Sequence, residues 1–256
     1  MSRKIGWILV SLLLVVTFLG LFWTPYDPNA MSILLKNGAP TLLHPFGTDS
    51  FGRDVLSRVM DGLGTSVLIA LSVTIMGTVL GTMIGALTGY FGGIFDEIIM
   101  RINDALTAFP GFFLALILVS VMGSGKYNII LALGIVFIPS YARIVRSEFV
   151  KQREMDYVKN AKIMGASHLR IIYAHILPNT RSVILPAIAI GFNNAVLSEA
   201  GMSYLGLGVQ PPDASLGRMI SDAAGYLTVS PWTAVFPGLT MILTIYAFSL
   251  LGGKRQ

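Results

Sequence analysis

Long apolar segments separated by shorter polar ones predict six membrane-spanning helices. A hydrocarbon core of about 30 Å requires about 20 apolar residues per helix. Six segments have this character: residues 5–23, 66–91, 105–122, 129–141, 183–204 and 233–251. Polar and apolar positions do not alternate within them, as they would in the strands of a membrane β-barrel. The pattern therefore predicts an all-α polytopic membrane protein.

The same pattern predicts one transmembrane domain over residues 1–256, made of an N-terminal helix (5–23), an outer segment (24–65) and a helical core (66–251). Arg3 and Lys4 precede the first helix, as in a secretory signal. The letters WTPYDPNA that follow it lack the small-residue ending of a cleavage site. We therefore expect the first helix to stay as a membrane anchor.

Glycines recur every four residues in the second predicted helix, at Gly77, Gly81, Gly85 and Gly89. Small residues at this spacing allow two helix backbones to approach closely inside a bilayer. The stripe predicts a packing contact with another helix.

Composition supports the membrane class. Hydrophobic residues make up 54% of the chain and charged residues 12%, and the mean hydropathy is +0.72. A soluble domain carries about 25% charged residues, so a soluble globular domain is excluded, as is a disordered chain. The chain has no cysteine, which excludes a disulfide framework, a zinc–thiolate site and a cysteine nucleophile.

The distribution of basic residues predicts the orientation. If the N-terminus is cytoplasmic, thirteen of the 18 Lys and Arg residues lie on the inner side and five on the outer side. Cytoplasmic loops of membrane proteins carry an excess of Lys and Arg. We therefore expect both termini, and the loop between the fourth and fifth helices, to be cytoplasmic.

This loop, residues 143–181, carries eight of the 18 basic residues and is too charged to span a membrane. Apolar residues recur in it at helical spacing. The residues alone leave three roles open: an amphipathic helix on anionic lipid, a solvated loop, or a docking element for a cytoplasmic partner.

Part of the loop resembles a known family. Residues 157–179, YVKNAKIMGASHLRIIYAHILPN, resemble the cytoplasmic loop that ABC importer permeases insert into their ATPase subunits, whose pattern is EAA, then glycine, then ILP. Lys159 and Asn160 replace the first two letters of that pattern. The resemblance implies these ATPase-coupling residues: Tyr157, Val158, Ala161, Gly165, Ala166, Ile176, Leu177 and Pro178.

Two residues of this string have a predicted structural role. Glycine adopts backbone angles that other residues avoid, so Gly165 predicts a turn between two short helices. Proline has no amide hydrogen to donate and is favoured in the first turn of a helix. Pro178 is therefore expected to start the fifth membrane helix.

Three further strings narrow the resemblance to the dipeptide, oligopeptide and nickel branch, in the second of its two permease subunit types. They are HPFGTDSFGRDVLSRVMDG (44–62), DALTAFPGFFLAL (104–116) and SYLGLGVQPPDASLGRMI (203–220). The resemblance implies a permease subunit in a bacterial inner or plasma membrane that moves peptides, nickel or metal chelates into the cytoplasm by ATP-driven alternating access.

The same resemblance implies the partners. They are a homologous permease in a heterodimer, two ABC ATPase subunits that bind ATP and Mg, an extracytoplasmic substrate-binding protein and the lipid bilayer. It implies no cofactor on this chain, no enzymatic activity of its own and no nucleic-acid partner.

Four residues of the outer segment are further candidates: Gly47, Asp49, Arg53 and Asp54. The three charged residues are close enough in sequence to pair with one another and to cap a following helix. Substrate contact is the alternative role.

Glu199 is the only ionisable residue away from the ends of any predicted helix. A charge inside a bilayer is costly, so this side chain is expected to face a partner or water. Gly191, Asn194, Ser198 and Gly201 form a small polar face on the same helix. Candidates for the translocation path are Asn194, Ser198 and Glu199, and an interhelical hydrogen bond is the alternative for Glu199. A function of another class, proton- or ion-coupled secondary transport, would use Glu199 as the carrier.

The sequence offers no catalytic or metal-binding pattern. It has no GxxxxGK[ST] phosphate-binding loop, so this chain is not expected to bind ATP in that way. His44, His168 and His175 are divided between an outer and an inner loop, which predicts no metal site.

Overall fold

The structure, a computed structural model, describes residues 2–252, and the long elements in that range are all helices. Their bounds are α1 (Ser2–Phe22), α2 (Val55–Phe91), α3 (Gly93–Thr107), α4 (Gly111–Met122), α5 (Lys126–Arg153), α6 (Asp156–Ile163), α7 (His168–Tyr204), α8 (Leu216–Ala223) and α9 (Trp232–Gly252). Short 3₁₀ turns occur at Ile33–Leu35 and Ala224–Tyr226.

Within the described range, five helices are long and apolar enough to cross a membrane: α1, α2, α5, α7 and α9. Helices α3 and α4 make a sixth crossing if they are taken together, although they are bent by 85°. The bend lies at Pro110, which is the N-cap residue of α4 and cannot donate a backbone hydrogen bond to continue α3. The all-α membrane fold predicted from the sequence is confirmed.

Several helix ends differ from the sequence-based bounds. Helix α2 begins at Val55 rather than residue 66, so the end of the predicted outer segment is helical. Helix α5 continues past residue 141 to Arg153, and α7 begins at His168 rather than residue 183. Polar helical turns outside the apolar segment have the hydropathy of a loop. Hydropathy therefore predicts helices that are shorter than those in the structure.

Pro178 lies in the first turn of the α-helical segment Leu177–Tyr204, as the sequence predicts, but this segment is not a separate helix. Residues Ile171–Ile176 form a π-helical turn inside α7, and the amide of Leu177 donates to the carbonyl of Ile172. The wider turn carries the chain continuously from His168 into the membrane part of α7. Pro178 follows it, in the first α-helical turn after the π segment.

The helix ends define two ends of the bundle. A Cβ placed on Gly6 would lie 2.8 Å from the Leu250 Cβ, so the start of α1 lies beside the end of α9. At the other end of α1, Gly20 lies against Met60 near the start of α2. Both termini of the described chain therefore share the end at which α2 and α5 finish. We call this the inner end, following the charge-based prediction, and the opposite end the outer end.

The glycine stripe of α2 packs on α5. A Cβ on Gly81 would lie 2.5 Å from the Tyr141 Cβ, and one on Gly89 would lie 2.7 Å from the Phe149 Cβ. Neither distance is sterically possible, so these positions accept only glycine without a shift of the helices. The predicted close approach of two backbones is confirmed, and α5 is the partner helix.

Buried apolar side chains form two clusters. The larger one fills the outer half of the bundle between α2, α4, α5, α7 and α8. The smaller one, which we call the inner cluster, consists of Ala86, Tyr90, Val145, Phe149, Val158, Ala161, Ile171, Ile172 and Ile176. The inner cluster joins the ends of α2 and α5 to α6 and to the start of α7.

Candidate translocation cavity and coupling hairpin

A cavity of about 770 Å³ opens between α4, α5 and α7. The bend between α3 and α4 contributes Pro110 and Phe112 to its wall. Its polar side chains are Thr107, Ser140, Tyr141, Asn194 and Ser198, and its lining contains no Asp, Glu, Lys, Arg or His among the described residues. A cavity of this composition offers hydrogen bonds and apolar contacts but no fixed charge.

The structure separates the three path candidates. Asn194 and Ser198 line the cavity together with Gly191 from the same polar face. Gly201 lies one turn further on, against the Phe112 ring. Glu199 is 0% exposed and is not part of the cavity lining.

Glu199 joins three parts of the outer half through hydrogen bonds. The Ser66 hydroxyl on α2 donates to Oε2 at 2.9 Å, and the Ser203 hydroxyl on α7 donates to Oε1 at 2.7 Å. Each hydroxyl in turn accepts a backbone amide, from Leu216 at 3.2 Å and from Val209 at 3.1 Å. The interhelical alternative for Glu199 matches this geometry, because every one of these groups is satisfied inside the protein.

The inner end carries a hairpin made of α6, the turn at Gly165 and the start of α7; we call residues 156–170 the coupling hairpin. Gly165 has φ +79°, the left-handed conformation that glycine adopts at least cost. The predicted turn is therefore present, but it joins the short helix α6 to the long helix α7 rather than two short helices. The Ser167 side chain caps α7 by accepting from the Arg170 amide at 3.4 Å.

The predicted coupling residues fall into a buried and a less buried set. Val158, Ala161 and Ile176 belong to the inner cluster, and Tyr157, Ala166 and Leu177 pack against it. Gly165 and Pro178 are exposed. The buried set fixes the base of the hairpin on the membrane helices.

The tip of the hairpin shows two residues that the sequence analysis did not select. Ile163 is 84% exposed and Met164 is 87% exposed, directly before the Gly165 turn. Large apolar side chains at the tip of a solvent-facing turn are typical of a protein-interaction surface. Neither residue belongs to the EAA, glycine and ILP positions of the family pattern, so the pattern does not point to them.

The outer-segment candidates form a structural network. Asp54 caps α2 by accepting from the Ser57 amide at 2.8 Å, and Asp54 Oδ1 lies 2.8 Å from His44 Nδ1. Arg53 Nε donates to Asp49 at 2.7 Å. The predicted pairing and helix cap are confirmed.

Gly47 belongs to the same region and has φ +72°. A Cβ there would lie 2.7 Å from both the Gly38 carbonyl oxygen and the Trp232 indole nitrogen. The position therefore allows the outer segment to pack tightly against the start of α9. None of the four outer-segment candidates lines the cavity.

Two ion pairs beside the cavity were not anticipated from the sequence. Arg146 on α5 donates to both oxygens of Asp96, at 2.5 and 2.6 Å. Arg143 donates to Asp104 at 2.9 Å. These pairs fasten α3 to α5, and the residues involved lie 50 and 39 positions apart in the chain, too far for local spacing to reveal them.

No group of three or more His, Asp or Glu side chains that could hold a metal ion occurs among residues 2–252. His44 lies in the outer segment, whereas His168 and His175 lie on α7 at the inner end.

Residues 77–253 match the family described as binding-protein-dependent transport system inner membrane component. The chain is 43% identical over 244 residues to the glutathione transport system permease protein GsiD of Shigella flexneri serotype 5b, covering 95% of this chain and 80% of that protein. It is 41% identical, with the same coverage, to the protein of that name from Escherichia coli O157:H7.

A solved structure has a similar fold. A chain of the MetNI methionine ABC transporter in inward-facing conformations matches with a TM-score of 0.63 and 18% sequence identity. The match covers 76% of this chain and 93% of that chain. At this identity the likeness concerns the arrangement of the helices.

Proposed function

Because this chain belongs to the family of binding-protein-dependent transport system inner membrane components, and is a permease subunit of an ABC importer, we propose that it imports small peptides through the cavity between α4, α5 and α7. The coupling hairpin would engage an ATPase subunit, and the exposed tip at Ile163 and Met164 is the observation that carries this proposal.

The hairpin has the form that docking requires. Its base is held by Val158 and Ala161 in the inner cluster, so the tip cannot move independently of the membrane helices. Its apolar tip can bury surface against a partner, which is the main favourable contribution to most protein association. In a loop that only contacts water, two adjacent exposed apolar side chains such as Ile163 and Met164 would not be favourable.

The proposed partners follow from the family. They are a homologous permease that forms a heterodimer with this chain, two ATPase subunits that bind ATP and Mg at the inner end, and an extracytoplasmic binding protein at the outer end. Both termini would be cytoplasmic, in agreement with the distribution of Lys and Arg. ATP binding and hydrolysis on the partner chains would drive alternating access, while this chain provides part of the path.

The proposed cargo is a peptide of the size of glutathione. Two observations support a peptide: the relatives named as glutathione permeases, and a cavity that offers Asn194, Ser198 and Tyr141 but no charged side chain. Neutral hydrogen-bonding groups suit the amide groups of a peptide, whereas a divalent metal ion prefers carboxylate or imidazole ligands.

The test of the docking role is co-purification of the complex. We expect Met164→Asp to lower recovery of the ATPase subunits at least about tenfold, since a charge in an apolar interface is costly to desolvate. Leu34→Asp is the matched control, because Leu34 is 96% exposed but lies in the outer segment. Full ATPase recovery with Met164→Asp would contradict the docking role.

The test of the cargo is uptake into proteoliposomes that contain the whole complex, with the binding protein added. We expect ATP-dependent accumulation of labelled glutathione that unlabelled small peptides inhibit and nickel ions do not. Uptake that continues without ATP and stops when the proton gradient is collapsed would contradict an ABC mechanism.

A further inference from the structure

The last turn of α2 contacts the coupling hairpin through one pair of side chains. The Tyr90 hydroxyl oxygen lies 2.8 Å from His168 Nδ1, and the two rings meet edge to face with centroids 5.6 Å apart. Tyr90 is buried at the end of α2, and His168 is the first residue of α7. Lys162 on the other arm of the hairpin lies over the Tyr90 ring, with Nζ 5.4 Å from its centroid.

This pair is distinctive among the contacts of the hairpin. Among residues 2–252, it is the only side-chain hydrogen bond between the coupling hairpin and α2; the others made by hairpin side chains stay within the hairpin or reach its immediate neighbours in sequence. The remaining attachment is apolar packing in the inner cluster. Apolar packing is non-directional, so the Tyr90–His168 bond and the Lys162 contact with the Tyr90 ring are the directional side-chain contacts of the hairpin with Tyr90.

The type of helix changes shortly after His168. Residues Ile171–Ile176 form the π-helical turn within α7. A π-helical turn inside an α-helix is rare and is frequently found at functional sites. The hairpin is therefore joined to α2 by a specific bond and to the membrane part of α7 by a locally irregular segment.

Helix α2 can carry a displacement towards the outer end. It is continuous over 37 residues from Val55 to Phe91, and its Ser66 holds Glu199 near the start of α8. Energetic coupling between distant sites can pass through rigid elements of this kind. A shift of the Tyr90 end would thus reach the network that connects α2, α7 and α8.

We propose that Tyr90 and His168 are positioning residues that transmit movement of the coupling hairpin to α2. This inference rests on the proposed docking of the hairpin on an ATPase. It assigns to this pair a role in coupling, separate from the apolar tip that makes the docking contact.

The experiment compares transport with ATP hydrolysis in the reconstituted complex. Tyr90→Phe removes only the hydroxyl group and keeps the buried ring. We expect ATPase recovery and the rate of hydrolysis to stay within about twofold of the parent, while the amount of substrate imported per ATP falls about fivefold, the factor expected for one hydrogen bond. Tyr173→Phe is the matched control, because Tyr173 is exposed on the neighbouring turn and makes no hydrogen bond within the described range.

Rescue by a conservative variant separates transmission from a merely structural role. In His168→Asn the side-chain amide can occupy the position of Nδ1 and form a hydrogen bond with the Tyr90 hydroxyl through either its oxygen or its NH2 group, so import per ATP is expected to be retained. In His168→Ala this partner is lost, and import per ATP should fall as in Tyr90→Phe. The double variant Tyr90→Phe/His168→Ala should be no worse than either single variant, because the pair acts as one unit.

The outcomes distinguish this inference from the proposed function. If Tyr90→Phe leaves import per ATP unchanged, transmission through this pair is overturned while docking stands. If Tyr90→Phe detaches the ATPase subunits, the pair shapes the docking surface and the inference is also overturned. The docking proposal is tested separately by Met164→Asp. Full recovery of the ATPase subunits with that variant would show that the hairpin tip is not the docking site.

Discussion

Replacement of Ser66 by alanine is the sharpest test of the Glu199 network. The Ser66 hydroxyl donates to Glu199 Oε2 and accepts a hydrogen bond from the Leu216 amide. Both Ser66 and Glu199 are almost completely buried, at 2% and 0% exposed. Ser66→Ala removes a single oxygen atom and leaves two buried polar atoms without their partner.

The expected magnitude follows from these two groups. A buried donor or acceptor left unsatisfied costs about 1–3 kcal/mol, so the carboxyl oxygen and the Leu216 amide together predict a loss of about 2–6 kcal/mol. The space left by one hydroxyl oxygen is too small for a water molecule, which needs room for a full probe sphere and two or more polar partners. Solvent therefore cannot restore the hydrogen bonds.

The assay is equilibrium unfolding in detergent micelles, with the free energy of unfolding compared between variants. Ser72→Ala is the matched control, since Ser72 is on the same helix, is half-buried and makes no hydrogen bond within the described residues. Its effect should stay within about 0.5 kcal/mol. Equal losses for Ser66→Ala and Ser72→Ala would refute the argument that the Glu199 network stabilises the outer half.

Three further outcomes are expected. Gly81→Leu should destabilise the protein by about 3 kcal/mol or more, because the new side chain would overlap Tyr141. Gly238→Leu should not, because a Cβ at Gly238 meets no atom within 4 Å. Equal yields and equal unfolding free energies for the two variants would contradict this. Asp54→Ala should lower the unfolding free energy by about 1–2 kcal/mol through loss of the α2 cap, measured by detergent unfolding. Asn194→Leu should reduce uptake by the complex without changing ATPase recovery, because the side chain lines the cavity; undiminished uptake would remove it from the path.

The membrane helices could be predicted from the sequence because each presents an apolar window of sufficient length. The α2–α5 contact could also be predicted in part, since the glycine spacing from Gly77 to Gly89 is visible in one dimension. The helix ends could not. Arg153 and His168 belong to helical turns outside the apolar windows, and a polar helical turn in water has no hydropathy signal to separate it from a loop.

The candidate site was predictable where function follows a local motif and not where it depends on long-range contacts. The hairpin turn at Gly165 could be predicted from its neighbours in the sequence. The environment of Glu199 could not, because Ser66 lies 133 residues away, and the Tyr90–His168 pair spans 78 residues. The helical periodicity places Glu199 near a polar face of its helix. Only the packing of α2 against α7 shows that the Glu199 side chain is buried, whereas Asn194 and Ser198 line the cavity.

The length of α2 affects how the protein sits in its membrane. A helix of 37 residues rises about 55 Å, well beyond a hydrocarbon core of about 30 Å, and even a tilt of about 40° leaves a surplus of roughly 12 Å. Arg58 and Asp61 lie in its first turns at the outer end, and the Arg58 guanidinium donates to the Pro28 carbonyl oxygen at 3.0 Å, so the part of the surplus that projects there packs against the outer segment. The first turns of α2 therefore have a protein environment that does not depend on the thickness of the bilayer.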